Sequence, residues 1–239
     1  LDGQNWWTRR PDLWNWWDPD APGYNPDNVN NVEWTSWDPK DAVKISWRNW
    51  GSQIRVVPCQ NLFARPVMSE LLGRYKTLIP IIADWYERLP TDRKLLLRGV
   101  KLGWEAGIGY NAFYYPDGNS YLERWPDDPS HEPTYGLKLG EGLDGGCVQL
   151  GYASLKAAGI KNSGEITRDD LARLTHEYLA VLCRKANFLG LPKELIITHM
   201  GGNYAPWDVH IPAWPAMNEW STPGYSFYWQ DPRELGDFP

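Results

Sequence analysis

The sequence lacks the features of several large protein classes. No apolar run approaches the roughly 18 residues that a membrane-spanning helix needs, so a transmembrane protein is excluded. The three cysteines, Cys59, Cys147 and Cys183, are far apart and form no C-x-x-C pair, which excludes a disulfide framework. No N-x-S/T glycosylation site occurs, and no signal peptide opens the chain.

Basic residues are in the minority. Lys and Arg number 24 against 30 Asp and Glu, giving a net charge of −6 without a long basic run. Such a chain is a poor candidate for binding nucleic acid, because that binding depends on neutralising phosphates. The sequence fixes no cellular compartment and only slightly favours a secreted, periplasmic or lysosome-like one.

Aromatic residues are abundant. The chain has 16 Trp, and aromatic residues make up 14% of its 239 positions, alongside 22 Gly and 20 Pro. This aromatic content argues against disorder, since disordered chains are poor in aromatics. Many Gly and Pro beside many Trp predict long, ordered loops that carry flat side chains.

Periodicity and end signals predict helices alternating with strands. Thr167 and Asp170 approximate a capping box before the strongest helical stripe, and Gly190 with Pro192 ends it. Alternation of this kind favours parallel strands and an α/β class. The predicted helices are 39–50, 66–89, 146–158 and 168–189, the strands are 53–57, 95–104, 194–199 and 225–229, and loops cover 1–37 and 106–145.

The predicted fold is a (β/α)8 TIM-type barrel or a large part of one, forming a single catalytic-type domain over residues 1–239. A complete barrel needs about 250 residues and eight strands, whereas only three strands, 95–104, 194–199 and 225–229, are clear here, beside the short strand 53–57. Either further strands escape notice or the chain is truncated at both ends. We favour truncation, so further segments of the same polypeptide are expected partners.

The stretch 98–111 is the most informative for chemistry. Side chains alternate along a strand, so Gly99, Lys101, Gly103 and Glu105 are expected to share a face. Glu105 then stands at the carboxyl end of its strand, which is where α/β barrels build active sites. A Glu that ends a strand and pairs with Lys or Arg is the structural alternative.

Glycoside hydrolysis needs a second carboxyl group. Glu219 is the best candidate, because it lies between aromatic residues just before a predicted strand. Partial burial there would raise the pKa of its carboxyl group. A substrate contact, a loop Glu bonded to backbone amides, and a partner outside this chain are the alternatives.

The Trp-rich segments predict a carbohydrate surface. An aromatic face packs against the C–H face of a sugar ring while polar side chains bond its hydroxyls. Most of the Trp residues are nevertheless expected to pin loops. The candidate substrate-binding residues are Asp2, Gln4, Trp6, Trp7, Trp16, Trp17, Tyr110, Asn111, His199 and Trp220.

No cofactor or metal is expected. The segment 140–145 fits G-x-G-x-x-G, but Glu141 and Asp144 would repel a pyrophosphate, and no βαβ unit surrounds it. The acidic residues between 18 and 27 lack EF-hand spacing, and the four His residues lack zinc spacing.

The stretch Lys101-Leu-Gly-Trp-Glu105, the aromatic loops and Asn218-Glu219-Trp220 resemble the (β/α)8-barrel glycoside hydrolases of clan A, which include β-galactosidases, β-glycosidases and endo-glycanases. The resemblance implies a retaining hydrolase with Glu105 as acid/base at the end of the fourth strand. Trp104 stands where that clan usually has Asn. The clan's nucleophile ends the seventh strand, so Glu219 fits that role only if a strand between 134 and 150 is counted.

Two other classes of function remain open. A non-catalytic carbohydrate-binding protein would have the same aromatic surface without a working pair of carboxyl groups. A structural or assembly protein would use its Trp residues for packing alone.

Overall fold

The computed structural model describes residues 7, 9–44, 46–49, 53–56, 58–106, 112–113, 150–201 and 213–226. Two long helices dominate it: α1, Arg65–Arg88, and α4, Arg168–Phe188, with the short helices α2, Thr91–Lys94, and α3, Tyr152–Ala157, between them. The strands are β1, Ser46–Asn49; β2, Gln53–Val56; β3, Val100–Ala106; β4, Ala112–Phe113; β5, Ile196–Gly201; and β6, Tyr225–Ser226.

The strands form two small sheets. One is antiparallel with the order β2-β1-β4, and the other is parallel with the order β3-β5-β6. The predicted (β/α)8 barrel is therefore wrong. Parallel pairing is present, but residues 9–44 form turns and short 3-10 helices, which take up chain length that βα units would need.

Both long helices lie where the sequence predicts them. The capping box of α4 is complete, because the Thr167 hydroxyl accepts from the Asp170 N–H while the Asp170 carboxylate accepts from the Thr167 N–H. In α1 the apolar residues recur at helical spacing, and Pro80 lies inside the helix. Tertiary packing of the apolar faces stabilises helices of this length.

The described residues 39–44 and 46–49 do not form the predicted helix 39–50. A 3-10 helix covers only Pro39–Asp41, with the Asp38 carboxylate accepting from the Lys40 N–H, and β1 then begins at Ser46. Ile45 and Trp47 favour extended backbone. The register of β1 with β2, Asn49 opposite Gln53, makes a hairpin of these strands.

Other predicted bounds shift. Strand β3 begins at Val100 instead of residue 95, because Leu95 and Leu96 form an exposed turn after α2. Helix α3 is shorter than the predicted 146–158, and residues 146–149 lie outside the described part. Most of the predicted loop 106–145 and residues 227–229 of the last predicted strand also lie outside it.

The main core lies between the two long helices and the parallel sheet. It is built from residues of α1, α4, β3 and β5, including Tyr75, Ile79, Leu179, Leu182, Leu102 and Ile196. A second cluster contains Trp7, Leu13, Val32, Ala64 and Val67. It attaches the Trp-rich segment, comprising Trp7 and residues 9–44, to the start of α1. Among the described residues, no helix combines the length and apolar character that crossing a membrane requires.

Candidate functional site

The parallel pairing of β3 with β5 brings two predicted site residues to the same edge of the sheet. Leu102 pairs with Thr198 and Ala106 pairs with Met200, so a register shift leaves residues 103–105 of β3 opposite the single residue His199 of β5. Glu105 and His199 therefore both lie near the carboxyl edge. Both strands run in the same direction and end at this edge. In parallel sheets, ligands bind outside the carboxyl ends of the strands.

His199 lies on the opposite face of β5 from the buried residues of that strand. Ile196, Thr198 and Met200 are buried on one side of β5, where the Thr198 hydroxyl donates to the Ala216 carbonyl oxygen at 3.1 Å. Since side chains alternate along a strand, His199 is directed to the other side, where it is half-buried. An imidazole in this position can exchange hydrogen bonds with a ligand at the carboxyl edge.

Glu219 lies at the opposite end of the sheet. Asn218 and Ser221 form a bridge around the turn at Glu219, and Thr222 then pairs with Ile197 near the start of β5. From Ile197 to Met200, three residues at about 3.3 Å each cover about 10 Å along the strand. The structure therefore does not bring Glu105 and Glu219 together at the amino or the carboxyl edge.

Trp220 contributes to packing. It is half-buried against the main core, and its backbone N–H donates to the Asn218 side-chain oxygen at 2.9 Å. Glu219 beside it is exposed. This turn thus belongs to the amino-terminal end of the sheet.

The two long helices fix the end at which the Trp-rich segment lies. Helix α4 precedes β5 by a short connection, so its last residues lie at the amino edge of the sheet. Just after α4 ends, Gly190 lies beside Ala83 in the last part of α1. Halfway along α4, Tyr178 meets Phe63, just before α1, edge-on with ring centroids 6.3 Å apart. The helices therefore run in parallel, and α1 begins at the carboxyl end of the sheet.

Trp7 packs at that same end, against Ala64 and Val67 at the start of α1. The Arg10 guanidinium adds a contact between this segment and α1, because it binds both Asp12 and Glu70. The Trp-rich segment is thus attached to the end of the molecule where Glu105 and His199 lie.

Five indole N–H groups in this segment donate to backbone carbonyl oxygens. Such bonds satisfy the polar atom of a packed Trp and fix the loop around it. They show that much of the Trp content is structural, as expected. The pairs are Trp7 to Pro58 (2.8 Å), Trp14 to Trp7 (2.7 Å), Trp16 to Val43 (3.2 Å), Trp34 to Val29 (2.7 Å) and Trp37 to Gly164 (2.7 Å).

Three half-buried Trp residues form a continuous aromatic cluster. Trp14 and Trp17 stack with ring centroids 5.5 Å apart at 28°, and Trp16 meets Trp17 edge-on at 6.0 Å. The Lys44 ammonium lies 6.0 Å above the Trp16 ring. Of the predicted substrate-binding Trp residues, Trp16 and Trp17 belong to this cluster, whereas Trp7 is 1% exposed and belongs to the core.

Sequence reasoning missed Glu33. Its side chain is fully buried and accepts hydrogen bonds from the N–H groups of Gly151, Ala153 and Ser154 at the start of α3, and from the Ser154 hydroxyl. Burial raises the pKa of Glu33 to about 7, although these hydrogen bonds lower it. A charged residue between Val32 and Trp34, two large apolar residues, is the signal that could have found it.

Five predicted substrate-binding residues lie outside the described part of the chain: Asp2, Gln4, Trp6, Tyr110 and Asn111. Across the part that the structure describes, no three His, Cys, Asp or Glu side chains cluster as metal ligands would. Comparisons of this chain with protein-family models, with curated proteins and with solved structures find no match.

Proposed function

We propose that this chain hydrolyses a glycosidic bond at the carboxyl edge of the β3-β5-β6 sheet, with Glu105 as general acid/base. The observation that supports the proposal is the parallel pairing of β3 with β5, in which Glu105 directly precedes the Ala106–Met200 pair and His199 lies opposite residues 103–105 at the same edge. A carboxyl group can protonate the leaving oxygen and later deprotonate water.

The aromatic cluster supports a carbohydrate as the substrate. Trp14, Trp16 and Trp17 belong to the segment attached at the same end of the sheet. Indole faces pack against the C–H face of a pyranose ring, and His199 adds a polar contact to its hydroxyls. Stacking on a sugar ring and proton transfer by a carboxyl group are two features that a glycosidase uses, in addition to its second carboxyl group.

Glu219 is not part of this proposal as the partner carboxylate. The paired carboxyl groups of a retaining enzyme lie about 5–5.5 Å apart, and those of an inverting enzyme about 6.5–9.5 Å. Since Glu219 lies beyond the amino end of β5, the second carboxyl group is assigned to another residue.

The proposal is tested by comparing the turnover of Glu105→Gln on substrates that differ in their leaving group. An acid is essential for oligosaccharides, whose leaving alcohols need a proton, and dispensable for 2,4-dinitrophenyl glycosides, whose phenolate leaves unaided. We expect turnover of oligosaccharides to fall about 10²–10⁴-fold, with a far smaller loss in bond cleavage for the dinitrophenyl substrate.

Glu219→Gln is the matched control and is expected to hydrolyse both substrates at the native rate. Added azide should restore turnover of the activated substrate by Glu105→Ala and give a glycosyl azide of retained configuration. Equal losses on both substrate types, or native turnover of Glu105→Gln on oligosaccharides, would remove the assigned role.

A non-catalytic carbohydrate-binding protein is the second candidate. The stacked Trp14–Trp17 pair and the separation of Glu105 from Glu219 favour it. The same substrate panel distinguishes the two candidates: oligosaccharide binding by calorimetry without any cleavage supports binding alone. Failure to bind any oligosaccharide would favour a structural role for the Trp residues.

A further inference from the structure

Glu33 joins three parts of the chain that are distant in sequence. Its backbone N–H donates to the Cys59 carbonyl oxygen at 2.8 Å, and its carbonyl oxygen accepts from the Val43 N–H at 2.9 Å. Its side chain reaches the first turn of α3, about 120 residues away in sequence. One residue thus connects the Trp-rich segment to the helical part of the fold.

Ser154 completes the junction. Its hydroxyl donates to the Glu33 carboxyl group and accepts from the Leu62 N–H at 3.1 Å. Because a hydroxyl oxygen has two lone pairs, it can also accept a hydrogen bond from the protonated, neutral Glu33 carboxyl group. The carboxyl group therefore has a hydrogen-bond partner in either protonation state.

No cation balances a charge on Glu33 among the described side chains. On the elements packed against it, the Lys44 ammonium lies over the Trp16 ring and the Lys156 ammonium lies 5.2 Å over the Trp34 ring. The other titratable groups on the segments bonded to Glu33 include Asp38 and Lys40, which form an ion pair at 3.0 Å, and Asp41, which accepts from the Ser36 hydroxyl. Cys59 is buried, and Tyr152 packs edge-on against Trp37.

A buried carboxylate without a cation is costly, even when backbone N–H groups bind it. We infer that Glu33 is a protonation-controlled latch: its neutral carboxyl group fastens the Trp-rich segment to the first turn of α3, and ionisation loosens this junction. The latch is independent of glycoside hydrolysis, and it would make the aromatic cluster more firmly held in acid than in alkali.

The direction follows from linkage. A detached Glu33 has the ordinary pKa of 4.5, and the attached residue has a pKa of about 7. A raised pKa means that the stabilisation is complete below about pH 4.5 and is lost as the pH rises through 7. Between pH 5.5 and pH 8.5 the opening equilibrium of the junction should therefore rise about 30-fold.

Hydrogen exchange of the full chain measures this opening. Peptides covering 28–44 and 150–158 are followed at pH 5.5 and 8.5, after correction for the intrinsic pH dependence of exchange. We expect the roughly 30-fold rise in the native chain, no rise in Glu33→Gln, and the native rise in Glu165→Gln, an exposed control. A flat native profile, or an unchanged rise in Glu33→Gln, would overturn the latch.

A second measurement does not require the Gln variant to fold. Carboxyl resonances of ¹³C-labelled Glu in the native chain should include one that titrates near pH 7. Its midpoint should move upward in Ser154→Ala, because the Ser154 hydroxyl bond favours the ionised form. If every Glu resonance titrated below about pH 5, Glu33 would be ionised when attached and the inference would fail.

Discussion

Glu105 and Glu219, the two carboxyl residues that the sequence pairs for catalysis, belong to opposite ends of one parallel sheet. Glu105 immediately precedes Ala106, which pairs with Met200, while Glu219 precedes the bridge of Thr222 with Ile197. Two groups that act in one proton-transfer mechanism depend on each other, whereas groups this far apart act independently.

This separation predicts the outcome of a double-mutant cycle. Glu105→Gln with Glu219→Gln should lose no more turnover of an oligosaccharide than Glu105→Gln alone, with a coupling energy within about 0.5 kcal/mol of zero. The measurement is kcat/KM for the two single variants and the double variant. A coupling above about 1 kcal/mol would show that the two carboxyl groups share a site.

Asp170 provides a stability prediction. It accepts from Thr167 in the capping box and from the Lys161 ammonium at 2.6 Å. Burial alone would raise the pKa of Asp170, but these hydrogen bonds outweigh it, so the pKa is lowered. Asp170→Ala should lower the free energy of unfolding by about 1 kcal/mol at pH 7.

The same residue predicts a pH dependence. A lowered pKa means that the charged contribution of Asp170 is present above about pH 3.8 and is lost as the pH falls through its native pKa. The difference between native and Asp170→Ala in urea unfolding should therefore shrink from pH 7 to pH 3. Asp169→Ala, an exposed neighbour in the same turn, is the control; equal losses in both variants would contradict the capping role.

The sequence predicts the long helices well because their signals are local. The capping box at Thr167 and the apolar periodicity of α1 and α4 need no information from elsewhere in the chain. The parallel pairing of β3 with β5 follows from the helix between them. The barrel fails as a prediction because strand number depends on how much chain the loops take up.

A local sequence signal gives a wrong prediction when two different backbone structures begin with the same residues. Asp38-Pro39 begins a 3-10 helix as readily as an α-helix, so the predicted helix 39–50 ends after one turn. For Glu33, the decisive partners are N–H groups about 120 residues away, which no local pattern reveals. Likewise, the position of Glu219 at the amino edge depends on sheet register, which the sequence alone does not fix.

Two glycines form a matched test of packing beside the proposed site. Gly103 of β3 has a φ of 119°, and a Cβ there would collide with Leu179 and press on the His199 carbonyl oxygen. Gly73 lies in α1, and outside the helix's own backbone a Cβ there would meet no atom within 4 Å. Gly103→Ala should destabilise the fold by about 1–3 kcal/mol, whereas Gly73→Ala should stabilise it by about 0.5–1 kcal/mol. Denaturant unfolding measures both, and a Gly103→Ala variant as stable as the native chain would contradict the described packing of β3 on α4.

The aromatic cluster predicts a separation between binding and stability. Trp17 is half-buried and stacks on Trp14, whereas Trp34 is 4% exposed and donates its indole N–H to Val29. An aromatic contact contributes about 0.5–1.5 kcal/mol beyond buried area. Trp17→Ala should therefore weaken oligosaccharide binding about 3- to 10-fold.

Trp34→Phe is the matched control, because it loses the same kind of indole group from the interior of the segment. It should lower the unfolding free energy by about 1–2 kcal/mol, since the Val29 carbonyl oxygen loses its donor and a cavity opens. The dissociation constant for the oligosaccharide should stay unchanged at temperatures where the chain is folded. Isothermal titration with an oligosaccharide panel, paired with urea unfolding of each variant, measures both quantities. Native affinity in Trp17→Ala would mean that Trp14, Trp16 and Trp17 serve packing alone. Equal losses of affinity in the two variants would mean that the substitutions act through folding and not through contact with a sugar.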